Sequence, residues 1–409
     1  MSADNKINFF SPEFKANPYP IYAYLQATAP VHRVALPEGK VLWFVTGYED
    51  AAAILKDPRF VRSWRDVMSP EQLAKMPEES PASRLFFNNM IFMDPPRHGR
   101  LRSLVQKAFT PAFIAQMRDR VQEIADRLID AVESRGEMDL IGDFAFPFPF
   151  QVIAQMLGIP AEDGAQLRNW TNSVVRGSFL AKSQMAAMAP DIAAFNAYVE
   201  GLCEARRREP GTDLISLLVQ AEEAGDKLTQ GELSSMIMLL IVAGHETTAN
   251  LIGNGMLALL QAPDQLARLR DEPALIKGAV EELLRYDASV EMIATLYTGE
   301  DVELHGITIP KGEQVMVVLA AANRDPRHIP DADKLDVARP EFKHLAFGQG
   351  IHFCLGAPLA RMEGQIGIAT LLRRLPELRL TVSPEKLLRK PSPNLRGLTS
   401  LPVAFSIPQ

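Results

Sequence analysis

The most informative segment of the chain reads Phe347-Gly-Gln-Gly-Ile-His-Phe-Cys-Leu-Gly356. Its three glycines allow the backbone to turn tightly and to approach a flat ligand closely. Cys354 lies just before a helical pattern that has Pro358 in its first turn, where a proline loses no helical hydrogen bond. A helix N-terminus lowers the pKa of a thiol, so we expect Cys354 to be a metal-binding thiolate. The backbone N–H groups of Leu355 and Gly356 are expected to point at its sulfur.

Two other interpretations apply to this segment. A single cysteine taken without its context is more often a buried, inert residue than a ligand. The Gly-x-Gly pattern also suggests a dinucleotide-binding turn. However, Phe353 occupies the place of the third glycine, and no alternation of strands and helices surrounds the segment. The dinucleotide interpretation therefore fails.

A second unusual segment lies in the middle of a long apolar helical pattern. Thr229-Gln-Gly-Glu232 is a capping box, and the pattern continues to about Gln261. At ~1.5 Å per residue, such a helix is roughly 45–50 Å long. Its middle reads Ala243-Gly-His-Glu-Thr-Thr248, and glycine and polar side chains are costly inside a buried apolar helix. Local violations of this kind indicate a functional role.

Structural alternatives also exist for this second segment. Thr247 and Thr248 can each donate a hydrogen bond to the carbonyl four residues earlier and merely bend the helix. His245-Glu246 begins the His-Glu-x-x-His zinc motif, but position 249 is alanine. The second histidine is therefore missing, and a zinc site is rejected.

Composition places the chain among ordinary globular proteins. It has 409 residues, of which 47% are hydrophobic, and no linker or repeat, so we expect a single domain over residues 1–409. The net charge of −7 argues against a nucleic-acid partner. The only cysteines are Cys203 and Cys354, which favours a reducing compartment without disulfides. No secretory signal is visible, and the apolar run at 236–244 is too short for a membrane span. We therefore predict a cytoplasmic protein without a membrane anchor.

Helical periodicity dominates the chain, so the predicted fold class is mainly α with small β-sheets. Amphipathic helices are predicted at residues 121–132, 277–286 and 358–375. Short strands are predicted at residues 41–46, 302–304, 307–309, 314–319 and 398–403. Residues 320–347 are expected to be irregular.

Both unusual segments resemble motifs of the cytochrome P450 family. The pattern Phe347-x-x-Gly350-x-His352-x-Cys354-x-Gly356 resembles its haem-binding loop. The resemblance extends over nearly the whole chain, fits the soluble bacterial branch best, and implies the cytochrome P450 fold, with a helical lobe and a smaller β-rich lobe. It also implies haem b (iron protoporphyrin IX) as the cofactor, with Cys354 as the axial thiolate ligand of the iron. Phe347 and Gly356 are then residues of the haem-binding loop.

The segment at 243–248 resembles the oxygen-activating stretch of the same family, Ala/Gly-Gly-x-Asp/Glu-Thr-Thr/Ser. The resemblance assigns Glu246 and Thr247 to proton delivery during dioxygen activation, which requires a positioned acid and a hydroxyl. A helix opened at Gly244 would leave room for dioxygen.

The remaining motifs gain meaning from the same resemblance. Glu282-Leu-Leu-Arg285 matches the family's Glu-x-x-Arg, with Arg339 as a third partner that pins the irregular stretch under the cysteine. His98, Arg102 and His352 are implied to meet the haem propionates through charge-assisted hydrogen bonds.

Two further expectations concern basic residues. Arg97, Arg100 and Lys107 are interpreted as a solvated basic face that could dock an acidic electron donor. The family usually has a propionate-binding arginine near position 296, where this chain has Leu296. We therefore expect one propionate to be anchored more weakly, or by a residue that the sequence does not identify.

The resemblance implies a monooxygenase that inserts one oxygen atom from O2 into a hydrophobic small molecule of fatty-acid, terpenoid, steroid or polyketide type. Electrons are expected from a ferredoxin with its reductase, or from a flavodoxin. Two alternatives are a peroxide-driven or rearranging enzyme on the same scaffold and a non-catalytic haem sensor. The substrate pocket is expected to include Val242, Ala243, Met292, Ile293 and Leu398, with contributions from residues around 64–91 and 170–195.

Overall fold

The computed structural model describes residues 7–9, 11–36, 41–76, 81–177, 182–223 and 228–407. The α-helices within these ranges are α1 (Pro12–Ala16), α2 (Tyr19–Thr28), α3 (Tyr48–Ile54), α4 (Pro70–Ala74), α5 (Pro81–Phe87), α6 (Arg97–Ala108), α7 (Pro111–Gln116), α8 (Arg118–Asp130), α9 (Pro147–Met156), α10 (Gly164–Gly177), α11 (Lys182–Arg208), α12 (Leu214–Glu223), α13 (Gln230–Leu260), α14 (Pro263–Asp271), α15 (Ile276–Tyr286), α16 (Leu319–Ala322) and α17 (Ala357–Arg374).

The strands are short and form small sheets. They are β1 (Val31–Ala35), β2 (Val41–Val45), β3 (Phe60–Val61), β4 (Glu137–Asp139), β5 (Ile293–Thr298), β6 (Val302–Leu304), β7 (Ile307–Ile309), β8 (Gln314–Val317), β9 (Arg379–Leu380) and β10 (Pro402–Ala404). The largest sheet has the strand order β1-β2-β8-β5-β3, the second has the order β4-β10-β9, and β6 pairs with β7 as a hairpin. The mainly α class with small sheets is confirmed.

The hydrophobic core is divided between a helical and a β-rich region. The largest cluster of buried side chains joins α6, α8, α9, α13, α15 and α17. A second cluster packs the five-stranded sheet against α3, and a third buries the N-terminal helices α1 and α2 against the same sheet. This division agrees with the expected helical lobe and smaller β-rich lobe.

The central helix α13 begins with the predicted capping box. The Thr229 hydroxyl accepts from the Glu232 N–H at 3.2 Å, and the Glu232 carboxylate accepts from the Thr229 N–H at 2.8 Å. An 18-residue window of α13 has a mean hydropathy of 1.3, which by length and composition alone would suit a membrane span. However, 61% of that window is buried inside the protein, as is typical of a core helix.

The Glu282–Arg285–Arg339 trio forms as predicted and holds the irregular stretch. Arg285 and Glu282 are fully buried and form an ion pair at 2.7 Å, while Arg339 Nε donates to Glu282 at 3.1 Å. Arg285 also donates to the carbonyls of Asn323, Ala332 and Lys334. Because these carbonyls belong to residues without regular structure, the trio replaces the hydrogen bonds that a helix or sheet would supply.

Most predicted elements agree with the structure to within a few residues, including α8, α13, α15, α17, β2 and the β6–β7 hairpin. Residues 398–403 differ from the prediction, because the strand is confined to β10, which begins only at Pro402.

Candidate active site

A cavity of about 430 Å³ brings the two unusual sequence segments together. Cys354, on the loop at residues 347–356 (the cysteine loop), lines it, as do Glu246 and Thr247 from α13. Many of the other side chains that line it are apolar, and they include Phe86, Met90, Ile91, Met238, Leu239, Val242, Ala243, Leu251, Met292, Ile293, Leu319 and Leu395. The cavity is therefore apolar with a few polar groups, which is typical of a small-molecule site.

The cysteine loop is held in a tight turn by its own backbone. The Cys354 N–H donates to the Phe347 carbonyl at 2.9 Å, and Gly348 and Gly350 adopt positive φ angles of 67° and 71°. A Cβ atom at Gly350 would lie 2.3 Å from the Leu55 carbonyl oxygen. Only glycine fits there, because any side chain would collide with backbone. The Phe347 ring lies at the cavity, with the Arg361 guanidinium 4.5 Å from its centroid.

The environment of the Cys354 thiol corrects two expectations. Burial raises the pKa of the thiol above its usual value, and hydrogen bonds from the backbone N–H groups of Gly356 and Ala357 and the charge of Arg102 only partly oppose it. The helix N-terminus alone therefore does not make this cysteine a thiolate, because the desolvation of a buried anion is the larger effect. The N–H groups at the sulfur belong to Gly356 and Ala357. Gly356 was expected at this position, but Ala357 takes the place of the expected Leu355.

The polar segment of α13 lines the cavity, as its functional interpretation predicts, and its threonines also contact the carbonyls four residues earlier, as the structural alternative predicts. Thr247 Oγ1 donates to the Ala243 carbonyl at 2.8 Å, and Thr248 Oγ1 lies 3.5 Å from the Gly244 carbonyl. The back-bonding alternative is thus present in the geometry, although Thr247 still lines the cavity. Glu246 lines it too, and its carboxylate lies 3.4 Å from Lys390 Nζ.

The expected opening of α13 at Gly244 is not present, because the helix continues without a break from Gln230 to Leu260. A Cβ atom at Gly244 would lie 3.3 Å from Ile153 of α9. The glycine therefore permits close packing of α9 against α13. His245 is buried, with Nδ1 2.8 Å from the Ile241 carbonyl, and packs edge-on against Phe146.

A buried acid beside this segment escaped the sequence analysis. Glu363 of α17 is 1% exposed and lines the cavity. Burial raises the pKa of its carboxyl well above the usual value, and a contact with the Thr248 hydroxyl opposes this only in part. Burial therefore favours the protonated, neutral form of this carboxyl. The only sequence signal was an acidic residue within the buried stripe of an amphipathic helix.

The three residues assigned to the haem propionates lie together at the cavity. His98, Arg102 and His352 all line it, and the His98 and His352 ring centroids are 4.2 Å apart. The Nε2 atoms of both histidines are buried without a hydrogen-bond partner among the described residues. Burial, with the charges of Arg62 and of these neighbours, lowers the pKa of His352 to about 3.

Arg62 belongs to the same cluster and was missed, because nothing in its local sequence distinguishes it from a surface arginine. It is 8% exposed, lines the cavity and donates from Nη1 to Thr295 Oγ1 at 2.8 Å. Leu296, at the position of the expected arginine, is 3% exposed and packs in the core of the five-stranded sheet. Its neighbour Thr295 lines the cavity.

Among the proposed pocket residues, Val242, Ala243, Met292 and Ile293 line the cavity. The placement of Leu398 is corrected, because its side chain is 1% exposed and packs in the helical core. The preceding turn instead brings Asn394 and Leu395 to the cavity wall. From the expected stretch at 64–91, Phe86, Asn89, Met90 and Ile91 line the cavity, whereas no described side chain at 170–195 does. Residues 178–181 and the side chains at 171, 172, 174–177 and 182–187 lie outside the described part of the chain.

Comparisons with known proteins agree with this geometry. The family model for cytochrome P450 matches residues 7–405. The cytochrome P450 monooxygenase PikC of Streptomyces venezuelae is 46% identical over 96% of this chain and 92% of its own length. A vitamin D(3) 25-hydroxylase of Pseudonocardia autotrophica is 45% identical over 97% of this chain and 96% of its own. The crystal structure of the myxobacterial cytochrome P450 CYP267B1 with myristic acid has a TM-score of 0.90 at 44% identity, covering 97% and 98% of the two chains.

The residues around the cavity fit the cofactor of this family. A thiol that accepts two backbone N–H groups is suited to ligate iron, since such hydrogen bonds tune a metal-bound sulfur. The unpartnered nitrogens of His98 and His352 suit the carboxylates of haem. The apolar walls suit its macrocycle. Sequence, fold and site agree, and the chain belongs to the cytochrome P450 family of haem-iron monooxygenases.

Proposed function

We propose that Cys354 ligates the iron of haem b and that Glu246 and Thr247 deliver protons during the oxidation of a hydrophobic small molecule. One observation carries this proposal: the thiol and the acid–hydroxyl pair, which lie far apart in the sequence, line a single apolar cavity. When bound, haem supplies the iron at which dioxygen is activated for insertion of one oxygen atom.

Each polar residue has a distinct task in this proposal. Cys354 would hold the haem iron as a thiolate, and the N–H groups of Gly356 and Ala357 and the charge of Arg102 would stabilise its negative charge. Glu246 transfers protons from the Lys390 side of the cavity. The Thr247 hydroxyl accepts them and passes them inward, after exchanging its bond to the Ala243 carbonyl.

The walls select and confine the substrate. Val242, Ala243, Met292 and Ile293 offer apolar side chains, which favour apolar molecules through the hydrophobic effect. Substrates of fatty-acid, terpenoid, steroid or polyketide type satisfy this requirement. The related vitamin D(3) 25-hydroxylase and the related CYP267B1 structure with myristic acid support the same class.

We further propose a cytoplasmic enzyme whose residues 1–409 form one domain and which has no nucleic-acid partner. Its electrons come from a ferredoxin with its reductase or from a flavodoxin. Arg97 is exposed on α6 and could dock such an acidic donor. Arg100 is less available for docking than expected, since it pairs with Glu232 at 2.9 Å.

The decisive experiment is the difference spectrum of the reduced protein with carbon monoxide. The wild type and a Cys203→Ala control are expected to show the red-shifted Soret band of thiolate-bound haem. Cys354→Ala is expected to lose that band and all turnover. A thiolate band retained in Cys354→Ala would contradict the ligand assignment.

The alternatives are separated by turnover assays with the wild type. A monooxygenase requires reducing equivalents, a redox partner and O2. Substrate oxidation supported by peroxide but not by this system would favour the peroxide-driven enzyme. Haem binding without turnover of any apolar substrate would favour the sensor.

A further inference from the structure

Hydrogen bonds to both the backbone and the side chain of Arg62 hold this residue at the cavity. Strand β3 ends at Val61, which pairs with Tyr297 of β5, so the Arg62 N–H is free of the sheet. That N–H donates to both carboxylate oxygens of Asp94, at 2.9 and 3.0 Å. The Asp94 carbonyl in turn accepts from the His98 N–H at 3.0 Å. Asp94 therefore holds Arg62 beside the first turn of α6, which carries His98.

The guanidinium of Arg62 is buried without a direct ion pair among the described residues, and the charge of Asp94, which accepts from the Arg62 backbone N–H, only partly offsets the cost of its burial. Its Nη1 donates to Thr295 Oγ1 at 2.8 Å, and its Nε is buried without a hydrogen-bond partner. None of the ion pairs of the described residues includes Arg62. The other buried arginines differ, because Arg285 pairs with Glu282 and Arg396 with Asp287. A buried charge without a partner is costly, so its presence at a cavity indicates an anion that binds there.

The neighbours of Arg62 indicate what kind of anion this is. The unpartnered Nε2 atoms of His98 and His352 lie at the same cavity as the Arg62 guanidinium. No carboxylate of the described residues pairs with any of the three. An anion with several oxygens, held next to the cysteine loop, would satisfy all of these donors together.

We propose that Arg62, positioned by Thr295 and Asp94, binds a haem propionate and takes the place of the β5 arginine that this chain lacks at Leu296. The proposal rests on the haem site of the proposed function. Thr295 of β5 faces the cavity, but its side chain is short and carries no charge, so it cannot pair with an anion as an arginine would. Arg62, directly after the neighbouring strand β3, supplies the charge, and the Thr295 hydroxyl orients it.

The test measures how fast the holoenzyme loses haem to excess apomyoglobin. Arg62→Gln is expected to lose haem about 10- to 100-fold faster than the wild type, since one charge-assisted hydrogen bond is removed. Arg97→Gln, which removes an exposed arginine, serves as the matched control and is expected to match the wild type. The double variant Arg62→Gln/Thr295→Arg supplies a guanidinium to the same site from β5. It is expected to lose haem more slowly than Arg62→Gln but faster than the wild type.

Reconstitution with haem dimethyl ester separates propionate binding from a structural effect. Its esterified propionates carry no charge, so the wild type and Arg62→Gln are expected to lose it at the same rate. An Arg62→Gln protein that retains haem like the wild type would overturn the inference. It would also be overturned by an equal acceleration with haem and its dimethyl ester, or by weakened fatty-acid binding with unchanged haem retention. A wild type without thiolate-bound haem would instead overturn the proposed function.

Discussion

Lys390 Nζ lies 3.4 Å from Glu246 Oε1, although 144 residues separate the two in the chain. Lys390 also lies 5.7 Å from the centroid of the Phe146 ring, and its N–H donates to the Gly397 carbonyl at 2.9 Å. The pair therefore connects the segment that follows β9 with the polar middle of α13, at the wall of the cavity.

Lys390→Met is expected to lower kcat by up to roughly tenfold, because Glu246 loses the partner that fixes its side chain near Thr247. The free energy of unfolding should change by only about 0–1 kcal/mol, since the pair is partly exposed. Substrate dissociation constants should stay the same. Lys386→Met removes a nearby exposed lysine and is the control. Unchanged kcat in Lys390→Met would show that Glu246 needs no such positioning.

Thr247→Val is expected to bind haem and substrate normally while diverting electrons to hydrogen peroxide. The valine keeps the shape of the side chain but cannot accept or pass on a proton, so product per electron pair should fall roughly tenfold or more. Thr247→Ser keeps the hydroxyl and should remain coupled. The measurement is the ratio of peroxide and of product to NADH consumed. Full coupling in the valine variant would refute the assigned role.

Glu363→Gln is expected to change how stability depends on pH. The raised pKa of Glu363 means that the folded protein holds this proton more tightly than the unfolded chain. The contribution of Glu363 to the free energy of unfolding is therefore complete below the pKa of the unfolded chain, about 4.3, and is lost as the pH rises towards the pKa of the folded protein. Glutamine stays neutral throughout. The urea midpoint of the variant, relative to the wild type, should thus rise from pH 5 to pH 9; a constant difference would contradict a protonated Glu363.

Glu282→Gln is expected to destabilise the protein by about 3–5 kcal/mol, because Arg285 is left buried with an uncompensated charge. The adjacent Glu281→Gln is the matched control. Glu281 is partly exposed and pairs with Arg361 at 2.8 Å, so its loss at neutral pH should cost less than the loss of Glu282. Urea unfolding followed by tryptophan fluorescence distinguishes them. Equal losses in the two variants would mean that burial of the trio is unimportant.

The Glu281 control also has its own pH dependence. Burial raises the pKa of its carboxyl, but hydrogen bonds from His344 and Arg361 outweigh this and lower it to about 2. The contribution of Glu281 is therefore present above the unfolded pKa and is lost as the pH falls towards 2. The difference between Glu281→Gln and the wild type should disappear over that range.

Local patterns in the sequence predicted much of the fold and part of the site. The capping box at Thr229 and the tight turn before Cys354 depend on residues within a few positions of one another, so they could be recognised without the structure. The Glu282–Arg285–Arg339 trio was predicted by the family resemblance, since its third member is distant in the chain. Glu363 and Lys390 were missed, because each acquires its meaning only from residues on other elements.

The sequence by itself determined the chemistry that is available: one thiol in a glycine-rich turn, an acid and a hydroxyl within an apolar helix, and a leucine at 296 in place of an arginine. Only the tertiary structure decided which side chains meet. The pairing of β5 with β8 slips by one residue between Ile293 and Leu296, and such a slip exchanges the two faces of a strand. Leu296 lies in the sheet core, Thr295 faces the cavity, and Arg62 reaches the cavity from the position directly after strand β3. No local pattern encodes this exchange, because it depends on how distant strands are packed together.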